Sequence, residues 1–275
     1  SASHAEGYYT QALASNSHAE GFFTTVNGDG WSGHAEGRET AVNAKAGHAE
    51  GYQTVVGGEN SHAEGNGTNA VGDSSHAEGL NTQTDGIASH VEGKDTRTMG
   101  NYSHAEGDRT TANGSASHAE GVLTTANYRS HAEGEGSVAG GADGNSNSRA
   151  AHAEGLRTTA TGTGSHSEGK DTKATGMYSH AEGNLTTASG QTSHAGGEGT
   201  IAAWDNSTVI GKYNSTTLSK TGNPLFIVGN GSSDTSRKNA LEIFADGTAY
   251  VNSKKVLVDG DTTFLKAITG YNASK

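Results

Sequence analysis

The residues with the most chemical potential are fourteen histidines, all set in one repeated pentapeptide whose commonest form is Ser-His-Ala-Glu-Gly. They are His4, His18, His34, His48, His62, His76, His90, His104, His118, His131, His152, His166, His180 and His194. Thirteen are followed two residues later by a glutamate: Glu6, Glu20, Glu36, Glu50, Glu64, Glu78, Glu92, Glu106, Glu120, Glu133, Glu154, Glu168 and Glu182; after His194 that place is taken by Gly196. In extended backbone, residues two apart share a face, so each pair sets an imidazole beside a carboxylate. Such a donor set suits zinc, iron or nickel. Against metal stands the repetition itself, because fourteen sites about 4.8 Å apart would crowd divalent cations. A polar ladder, in which each Glu accepts a hydrogen bond from a His of a neighbouring coil or chain, accounts for the repetition better. That reading assigns no metal and no cofactor. Catalysis is poorly supported: Ser61 and His62 are adjacent, point to opposite faces and cannot form a dyad within one coil. A glycosidase pair of carboxylates would be expected at an irregularity and not at every repeat. Threonine rows such as Thr82/Thr84 and Thr96/Thr98 are of the kind that could order ice. They are set aside because their second member is expected to face inward. The chain is therefore read as a non-enzyme.

The elements that must position these side chains follow from the spacing. Successive histidines lie 14 residues apart, except for 16 before His34, 13 before His131 and 21 before His152. The third residue after each His is always Gly; the sixth is Thr, or Ser at Ser137; the eighth is Ala, Val or Thr. Fourteen residues are too few for a helical repeat or a βαβ unit, and the glycine content disfavours helix. Two short strands joined by two tight turns fit, which is a β-solenoid. Alternation then sends Ser3, Ala5 and Gly7 to one face and His4 and Glu6 to the other. The small residues, with Thr at the sixth and Ala or Val at the eighth position, are expected to fill a narrow lumen. Intervening residues such as Gln11, Arg97 and Lys173 are expected to face solvent. The motif glycines and the glycines of the second turn (Gly72, Gly86, Gly114, Gly162, Gly190) are expected to supply positive φ.

Composition agrees with a repeat and excludes an ordinary globular core. Only 31% of the 275 residues are hydrophobic, 42 are Gly, one is Pro and none is Cys. Neither a disulfide framework nor a thiolate zinc site is available. The net charge of −12 disfavours nucleic acid and anionic membrane as partners. No apolar run approaches the roughly 18 residues of a membrane span. The chain opens on SASHAEG in mid-pattern, without a basic and apolar leader, and reads as a piece of something longer. A lumen of Ala, Ser, Gly and Thr buries little apolar surface, and at about 25 cal/mol per Å² it offsets little of the conformational entropy lost on folding. Association along the His/Glu face is the simplest remedy.

Ser-His-Ala-Glu-Gly, as at Ser61 to Gly65, resembles the Ser-Val-Ala-Ile-Gly core of the head repeat of trimeric autotransporter adhesins, the YadA-head-like or Hep_Hag repeats. Ser207-Thr208-Val209-Ile210-Gly211 comes closest to that form. The resemblance spans residues 1–212. It implies an all-β fold, a left-handed parallel β-roll of about 14 residues per coil, assembled as an elongated homotrimer whose Val and Ile positions face the threefold axis. His and Glu occupy those positions here, so all 27 residues named above would form a trimer-axis ladder. The His-x-Glu form is also similar to shafts of phage and prophage tail fibres. The later stretches Asn223 to Gly231, Arg237 to Ala240 and Asp246 to Val251 are similar to fibre segments that follow such shafts.

Residues 213–275 leave the pattern and are expected to form a small β-rich C-terminal segment, interwoven between chains. Leu225–Val228, Leu241–Phe244 and Val251–Val258 are strand candidates, and Asp246-Gly247 is a hairpin signal. Leu265 to Gly270 fits a helix or a strand. The wide spacing at Gly140 to Ser148 reads as a protruding loop and the segment around Trp31 as a smaller bulge. The implied function is structural and host-recognition: a trimeric shaft of a phage or prophage tail fibre, adhering to a bacterial surface receptor of glycan type and joined to other fibre or baseplate proteins. The alternative is the head of a bacterial trimeric adhesin. Its place would be the virion, or the extracellular or cell surface. Tyr8, Tyr9, Trp31, Trp204 and Tyr213, aromatics at or near irregular places, are the candidate receptor contacts.

Overall fold

A computed structural model of the chain describes residues 2–141 and 150–256. Most of the expected loop at 140–148, the end of the 251–258 strand and the segment at 265–270 lie outside those residues. Among the described residues there is no helix; all regular structure is strand. The chain divides into two compact units, Ser1–Ser165 and His166–Lys275.

In the first unit each coil contributes a five-residue strand on the motif and a two-residue strand on the seventh and eighth positions, for example His62–Asn66 and Asn69–Ala70. Both sets stack in parallel. Each residue pairs with its counterpart one repeat on, His62 with His76, Glu64 with Glu78 and Asn69 with Gln83. Backbone bonds cross every joint, as in His76 N–H to Ser89 O at 3.0 Å. The expected division of faces holds. Ala63, Ala77, Val91, Ala105 and Ala119 are fully buried, as are Val26, Val42, Val56 and Ala70 from the opposite wall. Gln11 and Arg97 face solvent. The motif serine is buried because its hydroxyl closes the preceding turn: Ser89 donates to Gly86 O at 2.7 Å and Ser103 to Gly100 O at 2.5 Å.

The lumen also separates two kinds of threonine. Thr96 donates to Glu92 O at 3.1 Å, whereas the buried hydroxyls of Thr54, Thr68 and Thr82 have no hydrogen-bond partner. An unpaired buried hydroxyl costs about 1–3 kcal/mol. Thr54→Val is therefore expected to raise stability by about 1 kcal/mol and Thr96→Val to lower it by about 1 kcal/mol, read from denaturant midpoints. Destabilisation of equal size in both would contradict the assignment.

The motif glycines have the positive φ expected of them. The motif glycine lies inside the long strand and not in a turn. Gly93 has φ +109°, and a Cβ there would sit 2.1 Å from the carbonyl oxygen of Gly107 in the next coil. The second-turn glycines named above do not have positive φ. A Cβ on Gly86 would come within 1.9 Å of Gly100 O, so close stacking of backbones, not dihedral freedom, selects glycine there. Around the turns, positive φ falls on larger residues: Arg109 and Leu123 after the motif strand, Ala88 and Tyr102 before the motif serine. Each left-handed non-glycine residue costs about 1–2 kcal/mol, which the bonded coil above and below must offset.

The second unit carries the same coil. Its motif strands are His166–Lys170, His180–Asn184, His194–Glu198 and Thr208–Lys212, with Val209 fully buried at the alanine position. Parallel stacking continues past residue 212: Pro224–Asn230 pairs with Thr208–Lys212, placing Ile227 beside Val209. The ladder then reverses. Asn239–Phe244 runs antiparallel to Pro224–Asn230, followed by Ala249–Val251 and Lys254–Val256. Gly247 (φ 82°) makes the expected hairpin. A second turn at Asn252-Ser253, both with positive φ, was not foreseen; it divides the strand expected from Val251 onward. This meander covers the outer edge of the last parallel strand, as terminal caps of solenoids do.

Candidate functional site: the histidine–glutamate face

The parallel register stacks each imidazole on the next. Ring centroids in the first unit lie 4.6–5.1 Å apart from His4 to His152, close to the spacing of adjacent strands. Glutamates stand beside them. His62 Nε2 is 3.7 Å from Glu64 Oε2 and His104 Nε2 is 3.7 Å from Glu106 Oε2, ion-pair range but beyond a hydrogen bond. At His4 and His18 the same-strand contact tightens to 3.4 Å. In the second unit the carboxylate reaches the next coil instead: Glu168 pairs with His180 at 3.3 Å and Glu182 with His194 at 3.2 Å. The neighbouring-coil arrangement expected of the ladder is thus found at those two pairs, while same-strand contacts such as His62–Glu64 and His131–Glu133 occur in the first unit.

The face is half covered. The side chain of His62 retains 36% of its exposure and that of Glu64 49%. Yet the Nε2 atoms of His48, His62, His76, His90 and His104 are shielded from solvent without a hydrogen-bond partner. Stacking hides the polar atom while leaving the ring edge open. Burial pushes the pKa of His34, His62 and His90 down, and the charge of each neighbouring histidine pushes the same way: His48 and His18 on His34, His48 and His76 on His62, His104 and His76 on His90. The adjacent glutamates oppose this: Glu36 at His34, Glu64 and Glu50 at His62, Glu92 and Glu78 at His90. A base whose folded pKa is depressed binds its proton first in the unfolded chain, so stability is complete above about pH 6.5 and declines as pH falls below it. Melting temperature is expected to drop between pH 7 and pH 5; a flat profile would contradict a coupled ladder.

The candidate receptor aromatics divide. Trp31, in the 16-residue coil, is 59% exposed and stands free on the surface, as expected of a bulge. Tyr8 and Tyr9 are exposed, but each has one ring face against the next coil: Tyr8 on Phe22 at 5.2 Å, Tyr9 on Phe23 at 5.0 Å. Sequence reasoning passed over Phe22 and Phe23, although both stand one repeat on from the tyrosines, and the Arg38 guanidinium lies 5.6 Å from the Phe22 ring. Trp204 is half-buried against the apolar cluster of the second unit. Tyr213 lies beneath the guanidinium of Arg237 at 5.6 Å, and its hydroxyl is 3.4 Å from Glu198 Oε1. Those last two residues pack the fold and offer little free ring surface. A scan against protein-family models and a search of curated proteins both find no match to this chain.

Proposed function

We propose that the chain is a structural and host-recognition segment of a phage or prophage tail fibre, an elongated homotrimer of left-handed β-rolls whose His/Glu faces meet at the threefold axis. The observation that carries this reading is the half-exposed row of His and Glu side chains along one face of the coils, whose own contacts, 3.7 Å at His62–Glu64 and His104–Glu106, are too long for hydrogen bonds. Polar side chains left half covered and unpaired on their own chain, repeated in register, offer a surface on which matching groups of another molecule can complete hydrogen bonds. A second and third copy of the same face supply partners with the same period. The role of the ladder is alignment: a slipped chain would leave many buried groups unpaired, a stronger penalty than misplaced apolar contacts carry. The shaft holds adhesive surfaces away from the particle, among other fibre or baseplate proteins, and the exposed Trp31 is the first place to look for stacking on a bacterial glycan. The chain performs no catalytic step.

Absolute mass by light scattering after size exclusion tests this. Three chains of 27.9 kDa give about 84 kDa; a folded species of one chain's mass would overturn the reading. Replacing His76 and Glu78 by Val and Ile is expected to leave the trimer intact while removing one aligning pair. Loss of the trimer on that exchange would show that the ladder supplies the affinity and not the alignment.

A further inference from the structure

The ladder is not uniform, and its irregularity creates a different kind of place. Between His18 and His118 successive imidazole planes are tilted by 23–39°. The coil from His118 to His131 is one residue shorter than the others, the loss falling in its second turn at Asn127 to Ser130. There the two rings lie nearly parallel, at 9° and 4.6 Å between centroids. One ligand atom each from His118, Glu120 and His131 come within 4.8 Å of one another; His131, Glu133 and His152 repeat the arrangement, and in the second unit Glu168, His180 and Glu182 form a related triplet. The tilted coils before His118 form no such triplet among the described residues. The objection that cations would crowd along fourteen equivalent sites therefore does not apply, since donors converge at few places.

We propose that His118, Glu120 and His131 form a binding site for a divalent first-row transition ion such as zinc. Two imidazoles and a carboxylate are a donor set that such ions favour. The Nε2 atoms of His118 and His131 are shielded by the stacked rings and make no hydrogen bond, so an ion is admitted by turning the rings and no existing hydrogen bond has to be broken. Their glutamate contacts are loose, 3.8 Å from His118 to Glu120 and 3.5 Å from His131 to Glu133. Metal–ligand bonds of about 2.0–2.2 Å require the three atoms to draw closer, which small rotations of half-exposed side chains allow. Water, or a group from another copy, completes the coordination. Glu133 and His152 can take part in holding the same ion, because the two triplets share His131. The site stands on one chain's own residues and does not depend on trimer formation.

The test uses the full chain, stripped with chelator and titrated with zinc at pH 7.5 by calorimetry, with cobalt in parallel for its visible d–d bands. One saturable site of highest affinity in the first unit is expected. His131→Asn is expected to weaken it by at least about tenfold, the scale that even supporting residues of metal sites carry. The same variant should abolish the cobalt bands attributable to that site, and His48→Asn, in the tilted part of the ladder, should change neither. His118→Gln provides a second variant if His131→Asn does not fold, with circular dichroism as the check. Equal losses from His48→Asn and His131→Asn, uptake of many ions with one common affinity, or no saturable binding would each overturn the proposal.

Discussion

Gly93→Ala is expected to disrupt the coils on either side of it, with a loss of about 4 kcal/mol or more. Two independent costs coincide there. The backbone has φ +109°, where an L side chain is strained by about 1–3 kcal/mol. The new methyl would also stand 2.1 Å from Gly107 O and about 2.9 Å from Gly107 N, both backbone atoms fixed by the parallel ladder. No flexible side chain is available to yield, and moving the backbone would open bonds to the next coil. Gly28 provides the control, since a Cβ there meets nothing within 4 Å. Gly28→Ala should melt within a degree or two of the parent. Comparison of thermal midpoints, with limited proteolysis to find where the chain opens, decides the matter. Similar midpoints for the two variants would mean that the coils are not held at the spacing described.

Ala105→Leu is expected to cost about 3 kcal/mol, at the upper end of the range for overpacking. Ala105 is fully buried in the lumen, between Val91 of the preceding coil and Ala119 of the next. The opposite wall is only the short strand Thr111–Ala112 and the buried Thr110, so the cross-section has little to give. Val91 sets the tolerated size: Ala105→Val adds what a neighbouring coil already holds and should cost less than about 1.5 kcal/mol. The ratio of the two effects, from denaturant unfolding, measures how rigidly the lumen fixes its width. A leucine accepted without loss would mean that the sheets can part.

Much of the fold is legible in the sequence because a two-residue alternation and a 14-residue period constrain each other. Ala77 must point inward if His76 and Glu78 point outward, and the buried series from Ala19 to Ala153 bears this out. The period also places Val209 and Ser207 in the ladder although their coil has no histidine. What the sequence concealed has two physical sources. Glycine has two uses, and letters alone do not say which applies: Gly86 is glycine for space, whereas the left-handed position two residues on is filled by Ala88. Residues as large as Leu123 and Tyr102 accept positive φ because the ladder overdetermines their backbones, an effect of tertiary bonding that no local preference encodes. The face that carries the His/Glu pairs was legible, but not the convergence of His118, Glu120 and His131. That depends on how the rings are set, 9° apart between His118 and His131, and the nearby turn Asn127-Tyr128-Arg129-Ser130 contains no metal ligand that would mark it.

The unequal coils have a consequence for how such a chain finds its own structure. A stack of identical units is translationally degenerate: a strand that joins the growing sheet one unit early makes nearly the same bonds as one that joins correctly, and the error propagates. Strict periodicity would offer the folding chain no origin from which to count. The 16-residue step before His34 and the 13-residue step before His131 break that degeneracy within the first unit. A skipped unit would set the Trp31 bulge, or the tight turn at Tyr128, against a neighbour of the wrong length. These departures serve as index marks on an otherwise blank scale, and a chain from which they were edited out would be expected to fold to the same local geometry with a spread of skipped units.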